Sequence, residues 1–300
     1  MNATPTPPQN AIPQTVNHYE NFPVASILCP APLRPPIAAI YWFARTADDI
    51  ADEGTASAGQ RLADLAAFRV DLADAAAGHS ASSRWPQVFI PLQAAIAAWK
   101  LPESLLADLL SAFMQDAIKT EEESGYANRA ELLDYCQRSA APIGRLLLHL
   151  YGVTDAQSLQ HSDAICNALQ LINFWQDLSL DLPRGRYYLP QDRSQHFGVD
   201  ATALHQHPQS PALTRLMVEN VAWARALMRS GAPLVHRVPG RAGWELRLVV
   251  QGGLRILDKI EALGFATRHA RPKVGKADIP VMLWRALWMQ QSSIPTFPSP

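Results

Sequence analysis

The segment Tyr41-Trp42-Phe43-Ala44-Arg45-Thr46-Ala47-Asp48-Asp49-Ile50-Ala51-Asp52-Glu53 carries two patterns at once. Tyr41, Arg45, Asp48 and Asp52 are spaced i, i+4, i+7 and i+11, which places them on one face of a helix. Upstream, Ile37, Ala38, Ala39 and Ile40, with Trp42 and Phe43, make the same helix apolar all round, as expected of a buried element. Such a helix should not end in like charges. Two carboxylates about 6 Å apart repel by roughly 3 kcal/mol at an effective dielectric of about 20. If the stripe is enclosed, a cation or a cluster of donors must offset that repulsion.

A second segment, from Asn167 to Asp181, repeats the pattern. Gln170, Asn173, Asp177 and Asp181 share one face among Leu169, Leu171, Ile172, Phe174, Trp175, Leu178 and Leu180. A single acidic i, i+4 pair is ordinarily a solvated helix face. Two such stripes, each set among bulky apolar residues, point to function instead. Carboxylates without His or Cys alongside suit a hard divalent cation, and Mg²⁺ typically takes one or two carboxylates plus substrate phosphates. The expected ligand is therefore a phosphorylated or diphosphorylated molecule held by Mg²⁺, with Mn²⁺ as a substitute, between two acidic helices. Arg184-Gly185-Arg186-Tyr187-Tyr188-Leu189-Pro190 follows at once. Two arginines flanking a glycine suit a diphosphate clamp as well as they suit an ordinary surface turn. Arg45 either pairs with the acids or holds a phosphate. The remaining wall is expected to draw on Phe22, Tyr41, Phe43, Phe174 and Trp175, although most of these individually fit plain core packing. A diphosphate on a long apolar chain, hence a prenyl substrate, suits such a site.

The whole chain supports this reading without naming a partner. Its 300 residues carry 26 Lys plus Arg against 27 Asp plus Glu, a net charge of −1, so there is no basic surplus for nucleic acid. Cys29, Cys136 and Cys166 lie far apart, fit no zinc spacing and suggest a reducing compartment. The first residues carry neither a basic nor an apolar targeting region, and no apolar run reaches the ~18 residues of a membrane span, so a cytoplasmic location is expected. The pattern is helical almost throughout and predicts one all-α domain over 14–291, between tails at 1–13 and 292–300. Helices are expected at about 14–27, 36–53, 58–78, 84–98, 102–121, 129–152, 157–181, 209–231, 240–263 and 277–290, with a long loop at 182–208. The run Glu121-Glu122-Glu123 reads as a solvated loop. The apolar segment Ile279–Met289 is expected to pack on the core, with peripheral contact to a membrane surface as the alternative.

Taken together, these residues resemble the squalene/phytoene synthase family of head-to-head prenyl synthases over about residues 17–272. The resemblance rests on Tyr41-x-x-x-Arg45-x-x-Asp48-Asp49-x-x-Asp52, on Tyr135-Cys136 through Gly144, and on Asn173-x-x-x-Asp177-x-x-x-Asp181 followed by Arg184-Gly185-Arg186-x-Tyr188-Leu189-Pro190. It implies the isoprenoid-synthase helical bundle with a central cleft. Mg²⁺ would then be bound by Asp48, Asp52, Asp177 and Asp181. Arg45 and Asn173 would assist the diphosphate, and Tyr41, Tyr135, Gly144, Gln170, Arg184, Arg186 and Tyr188 would line the site. The chain departs from the common family pattern at Gln176 and Leu180, at Ser139 and Pro142, and at Gln251-Gly252-Gly253. Together with Glu20-Asn21-Phe22-Pro23 these departures resemble the bacterial hopanoid-pathway branch. They imply conversion of presqualene diphosphate and water to hydroxysqualene and diphosphate, without NADPH, and a downstream product reductase as a pathway partner. The competing readings are formation of presqualene diphosphate, of squalene or of phytoene from two prenyl diphosphates. A non-catalytic assembly factor of the same fold would be free to lose the four acids, and all four are present.

Overall fold

The computed structural model describes residues 29–80, 82–200, 204 and 210–289. The expected helix at 14–27, the tails at 1–13 and 292–300, and Phe22 lie outside the described residues. Among the described residues the chain forms α1 (Arg34–Asp52), α2 (Ala58–Ala77), α3 (Pro86–Trp99), α4 (Glu103–Glu121), α5 (Arg129–Ser139) and α6 (Ala141–Leu150). It continues as α7 (Ala156–Gln176), α8 (Leu178–Asp181), α9 (Gln191–His196), α10 (Pro211–Gly231), α11 (Gly240–Ala262) and α12 (Ile279–Leu287). No strand occurs among them, and the all-α reading holds.

Local chemistry sets the ends of these helices. Prolines in the first turn open α1, α3, α6, α10 and α12, where a missing N–H costs nothing. Side-chain oxygens of Ser57, Asn128, Asp155 and Ser210 accept from the backbone N–H of Gln60, Glu131, Ser158 and Leu213 and cap α2, α5, α7 and α10. Gly78, at φ +76°, closes α2 in the left-handed conformation.

Two expected helices are broken, the first by a proline. The stretch 129–152 divides at Ala140, whose φ −125° and ψ −46° leave the helical region. Pro142 explains the break, because a proline inside a continuous helix lacks the N–H and clashes with the carbonyl four residues back. The stretch 157–181 divides at Asp177, with φ −103° and ψ 15°, into α7 and the single turn of α8. The expected loop at 182–208 contains a short 3₁₀ turn at Leu182–Arg184 and then α9.

Packing gives two apolar cores joined through α6. One is built from α1–α4 around Phe43, Phe68 and Phe89, and receives Leu146 and Leu150. The other gathers α5, α7, α10 and α11 around Trp175, Leu171, Met217 and Leu257, and receives Leu148. The acid-bearing end of α1 thus belongs to one core and the acid-bearing end of α7 to the other, and the site forms where the two meet. Close approach of α6 to α7 depends on Gly144: a Cβ added there would lie 2.6 Å from Cys166 Sγ. We expect Gly144→Val to destabilise the fold by about 1–3 kcal/mol through overpacking. Gly59→Ala, with nothing within 4 Å, should leave stability unchanged or raise it by up to about 1 kcal/mol. Urea unfolding of the two variants beside the parent chain checks both.

Candidate active site

The site is a row of carboxylates contributed by α1, α4 and the junction of α7 with α8. Asp48 and Asp52 come from the last turns of α1, Asp177 and Asp181 from the broken end of α7 and from α8. Asp116 projects from α4 between them. Its charge is felt at both Asp48 and Asp181, so it links the two stripes. Sequence reasoning missed Asp116 because a lone acid on a helix has no periodic signal. The one available cue was its position beside the apolar residues Ala112, Phe113, Met114 and Ala117.

Enclosure and like charge act together on these groups. Burial, then the neighbouring Asp52, raises the Asp48 carboxyl to about 7 against the pull of Arg45. Burial, then Asp177, raises Asp181 to about 7 against the pull of Arg186. Burial raises Asp116 to about 6, opposed first by Arg186 and also by the hydrogen bond from Tyr188. The Tyr188 hydroxyl donates to both carboxylate oxygens of Asp116, at 2.9 and 3.1 Å.

Two guanidiniums hold the row together. Arg186 pairs with Asp52 across the cleft. Arg271, from the segment after α11, forms a two-pronged pair with Asp177, Nε to Oδ1 at 2.5 Å and Nη2 to Oδ2 at 2.9 Å. Arg271 was not singled out from the sequence, since it belongs to no helix stripe and only the three-dimensional path brings it to Asp177. The neighbouring Gln176 fixes the same segment by donating to the Pro272 carbonyl at 2.7 Å.

The other expected residues are distributed as follows. Arg45 pairs with Asp48 at 3.5 Å, Asp49 at 2.7 Å and Glu53 at 3.1 Å, so it is engaged by acids on its own helix. Tyr41 lies one turn before it, half-buried and edge-on to Trp42. Gln170 and Asn173 are half-buried on α7, and the Asn173 carbonyl accepts from the Asp177 N–H at 2.9 Å. Arg186 turns inward, whereas Arg184 is exposed and acts on Asp181 only through its charge. Gly185, at φ +74°, turns the chain between them. Tyr188 and Tyr135 belong to a stack with Tyr126 and Phe174, the Phe174 and Tyr188 rings lying 3.7 Å apart and nearly parallel. The Tyr126 hydroxyl is buried there without a hydrogen-bond partner. Two of the aromatic residues expected to line the cleft pack elsewhere. Phe43 sits opposite the acidic stripe against Phe68 and Phe89, and Trp175 faces Trp223 in the second core. Glu121, Glu122 and Glu123 are exposed, as expected of a solvated loop. The loop then closes through a backbone bridge between Gly125 and Tyr187, which positions Arg186 and Tyr188 relative to α4.

An apolar cavity of ≈ 130 Å³ lies further along the same helices, lined by Ile37, Gly144, Leu147, Ile165, Leu169 and Leu246, among others. Ile37 precedes Asp48 by eleven residues on α1, about 16 Å at 1.5 Å per residue. A charged end and a long apolar end are therefore set along one axis.

All donors in the row are carboxylate oxygens, two of them raised to about 7 by burial and mutual repulsion, and a hard divalent cation fits that chemistry. The side chains are not gathered into a coordination shell: among the described residues no three His, Cys, Asp or Glu side chains converge on one metal position. Arg186 and Arg271 instead occupy two of the four expected ligands.

Charging Asp181 at a folded pKa near 7, against an ordinary value near 3.8, costs stability. That cost is absent below about pH 4 and complete above about pH 7. Without added metal, Asp181→Asn should therefore gain on the parent chain as pH rises from 5 to 8. The gain should reach about 2–4 °C in Tm for each ~1 kcal/mol relieved. An equal advantage at both pH values in differential scanning calorimetry would contradict this.

Comparison with known proteins bears on these features directly. The family model described as squalene/phytoene synthase matches residues 15–278. A protein named hydroxysqualene synthase from Sinorhizobium fredii is 33% identical over 249 residues, 83% of this chain and 80% of that protein. A presqualene diphosphate synthase from Rhodopseudomonas palustris is 28% identical over 96% of this chain and 99% of its own length. Among solved structures, squalene synthase HpnC from Alicyclobacillus acidocaldarius superposes with a TM-score of 0.74 at 36% identity, over 83% of this chain and 90% of that one. With the acidic stripes, the cleft and the helical bundle agreeing with a match over most of its length, the chain belongs to the squalene/phytoene synthase family.

Proposed function

We propose that this enzyme converts presqualene diphosphate and water to hydroxysqualene and diphosphate. The observation that carries the reading is the alignment of a carboxylate–arginine row with an apolar cavity about 16 Å along the same helix. The likeness to proteins named hydroxysqualene synthase, at 32–37% identity, supports this reaction within the family.

The residues divide the work by chemistry. Asp48, Asp52, Asp177 and Asp181 would hold Mg²⁺, or Mn²⁺ in its place, with Asp116 adding charge from the middle of the row. The bound cation would supply neutralisation of the diphosphate. Arg186 and Arg271, each now paired with an acid, would turn to phosphate oxygens, since a guanidinium matches phosphate as well as carboxylate. Arg45 and Asn173 lie on the same faces and would orient the diphosphate.

Breaking the C–O bond sends its electron pair to the diphosphate and leaves a carbocation on the prenyl portion. The packed rings of Tyr126, Tyr135, Phe174 and Tyr188 are tied to the carboxylate row through Tyr188 and Asp116, and their electron-rich faces would stabilise a cation formed beside them. The apolar cavity keeps bulk water from the chain while it rearranges. Water then adds its oxygen to the cation and releases a proton, which balances the reaction without a reductant and therefore without NADPH. Hydroxysqualene formed in this way would be passed to a reductase, the pathway partner this reading requires.

The sister reaction, formation of presqualene diphosphate from two farnesyl diphosphates, is favoured by the near full-length likeness to a presqualene diphosphate synthase. Incubation of the purified protein with Mg²⁺ and each substrate separates the two. Hydroxysqualene from presqualene diphosphate, and no product from farnesyl diphosphate, supports our reading; product from farnesyl diphosphate alone overturns it. We further expect Asp48→Asn and Asp177→Asn each to lower kcat by about 10²–10³, the usual cost of losing one preorganised electrostatic contact. Full turnover by either variant would remove that aspartate from the diphosphate site.

A further inference from the structure

The last described helix does not pack as the sequence suggests. Core packing was expected of Ile279–Met289, but Ile279, Leu283, Trp284, Leu287 and Trp288 are all exposed, the two tryptophans at 64% each. Their spacing explains this. Positions 279, 283 and 287 form one i, i+4 line and positions 280, 284 and 288 the adjacent line, so one half of α12 is apolar and faces outward. The other half does the packing. Met282 meets α11 at Gly252, Ala286 is buried, and Arg285 pairs with Asp258 at 2.6 Å.

This face is held rigidly and extends beyond its own helix. Arg247 of α11 donates to the carbonyls of Ala286 and Met289, at 2.9 and 3.1 Å, and its guanidinium lies 4.8 Å from the ring centre of Trp244. Trp244 is itself 48% exposed, so a third tryptophan is tied to the end of α12 that carries Trp288. Trp284 and Trp288 contact each other at 5.6 Å between ring centres. An exposed cluster of this size is uncommon on a free surface and marks an interaction site.

Charge identifies the occupant. Of the basic residues in the stretch 268–289, Arg271 is taken by Asp177 and Arg285 by Asp258, while the single acid there, Asp278, is itself bound by Arg255 and Lys259. Lys273 and Lys276 are exposed just before α12, and the helix itself carries no acid. Tryptophan and leucine on one face with basic residues at the flank suit the interface of an anionic bilayer, where indole rings sit at headgroup depth and lysines meet lipid charge.

The position is consistent with that occupant. The apolar cavity adjoins a shallower basin through Cys29, Tyr151 and Ala242, with Arg34 and Arg241 at its edge, and Ala242 lies within one turn of Trp244 on α11. We propose that the outward face of α12, with Trp244 and the lysines at 273 and 276, docks the protein on an anionic lipid bilayer. The far end of the apolar cavity then opens beside the membrane.

Flotation of the full-length protein tests this without substrate, so the result is independent of which reaction the enzyme catalyses. The probes are vesicles of phosphatidylcholine alone and of phosphatidylcholine with phosphatidylglycerol. Binding is expected on the anionic vesicles. It should weaken about tenfold or more in Trp284→Ser/Trp288→Ser and in Lys273→Glu/Lys276→Glu, and with rising salt. On the unaltered protein, lipids brominated near the headgroup end of the acyl chain should quench tryptophan emission, which tests the proposal even if a variant misfolds. No binding to anionic vesicles, binding unchanged in both variants, or absence of quenching would overturn it. So would a dimer in solution that depends on Trp284 and Trp288, since a second copy would then cover the face.

Discussion

Repulsion among enclosed carboxylates is the constraint on which the rest of this structure depends. Asp48, Asp52, Asp116, Asp177 and Asp181 come from three directions, and burial raises the charging cost of three of them. An unpaired charge in such a place is strongly destabilising. The fold answers with Arg186 and Arg271, each brought from a segment outside the acid-bearing helices. Those segments are fixed in turn, one by the bridge from Gly125 to Tyr187, the other by the bond from Gln176 to the Pro272 carbonyl. Structure peripheral to the site is thus what makes its charge tolerable.

The aromatic stack answers a different demand. Tyr126, Tyr135 and Tyr188 have phenols driven upward by burial and by the acids nearby, so they remain neutral. Tyr188 donates to Asp116, while its ring lies flat on Phe174. One residue therefore links the carboxylate row to the apolar interior. Breaking α7 at Asp177 serves the same junction. A straight continuation would keep Asp181 on the α7 axis, whereas the turn lets Asp177 meet Arg271 and Asp181 face Asp116.

Much of this was legible in the residues. The i, i+3, i+7 spacing of Arg45, Asp48 and Asp52 and the pair Asp177 and Asp181 located both walls, because helical periodicity is a local property. Pro142 held the cue to the α5–α6 break, and a continuous helix was still expected because the apolar pattern runs through it. Asp116 and Arg271 were not legible, since each depends on contacts far away in the chain and neither repeats at a helical interval. Arg184 and Arg186 look equivalent beside Gly185, and only the left-handed turn at that glycine sends one inward and the other to solvent. Phe43 and Trp175 show the converse difficulty: an aromatic residue next to a polar stripe carries no mark of which core it will join.

The two ion pairs that close the site are separated by 134 residues, for Arg186 and Asp52, and by 94, for Arg271 and Asp177. Helices form from near neighbours, but contacts of such long sequence separation form only after the intervening chain has given up its loop entropy. Most helix–helix packing can therefore precede the closure of the acidic row. A nascent chain would carry mutually repelling carboxylates until residues beyond 271 have emerged and folded back. Order of synthesis and order of assembly are in this way coupled, with the charged centre completed only once Arg271 has joined it.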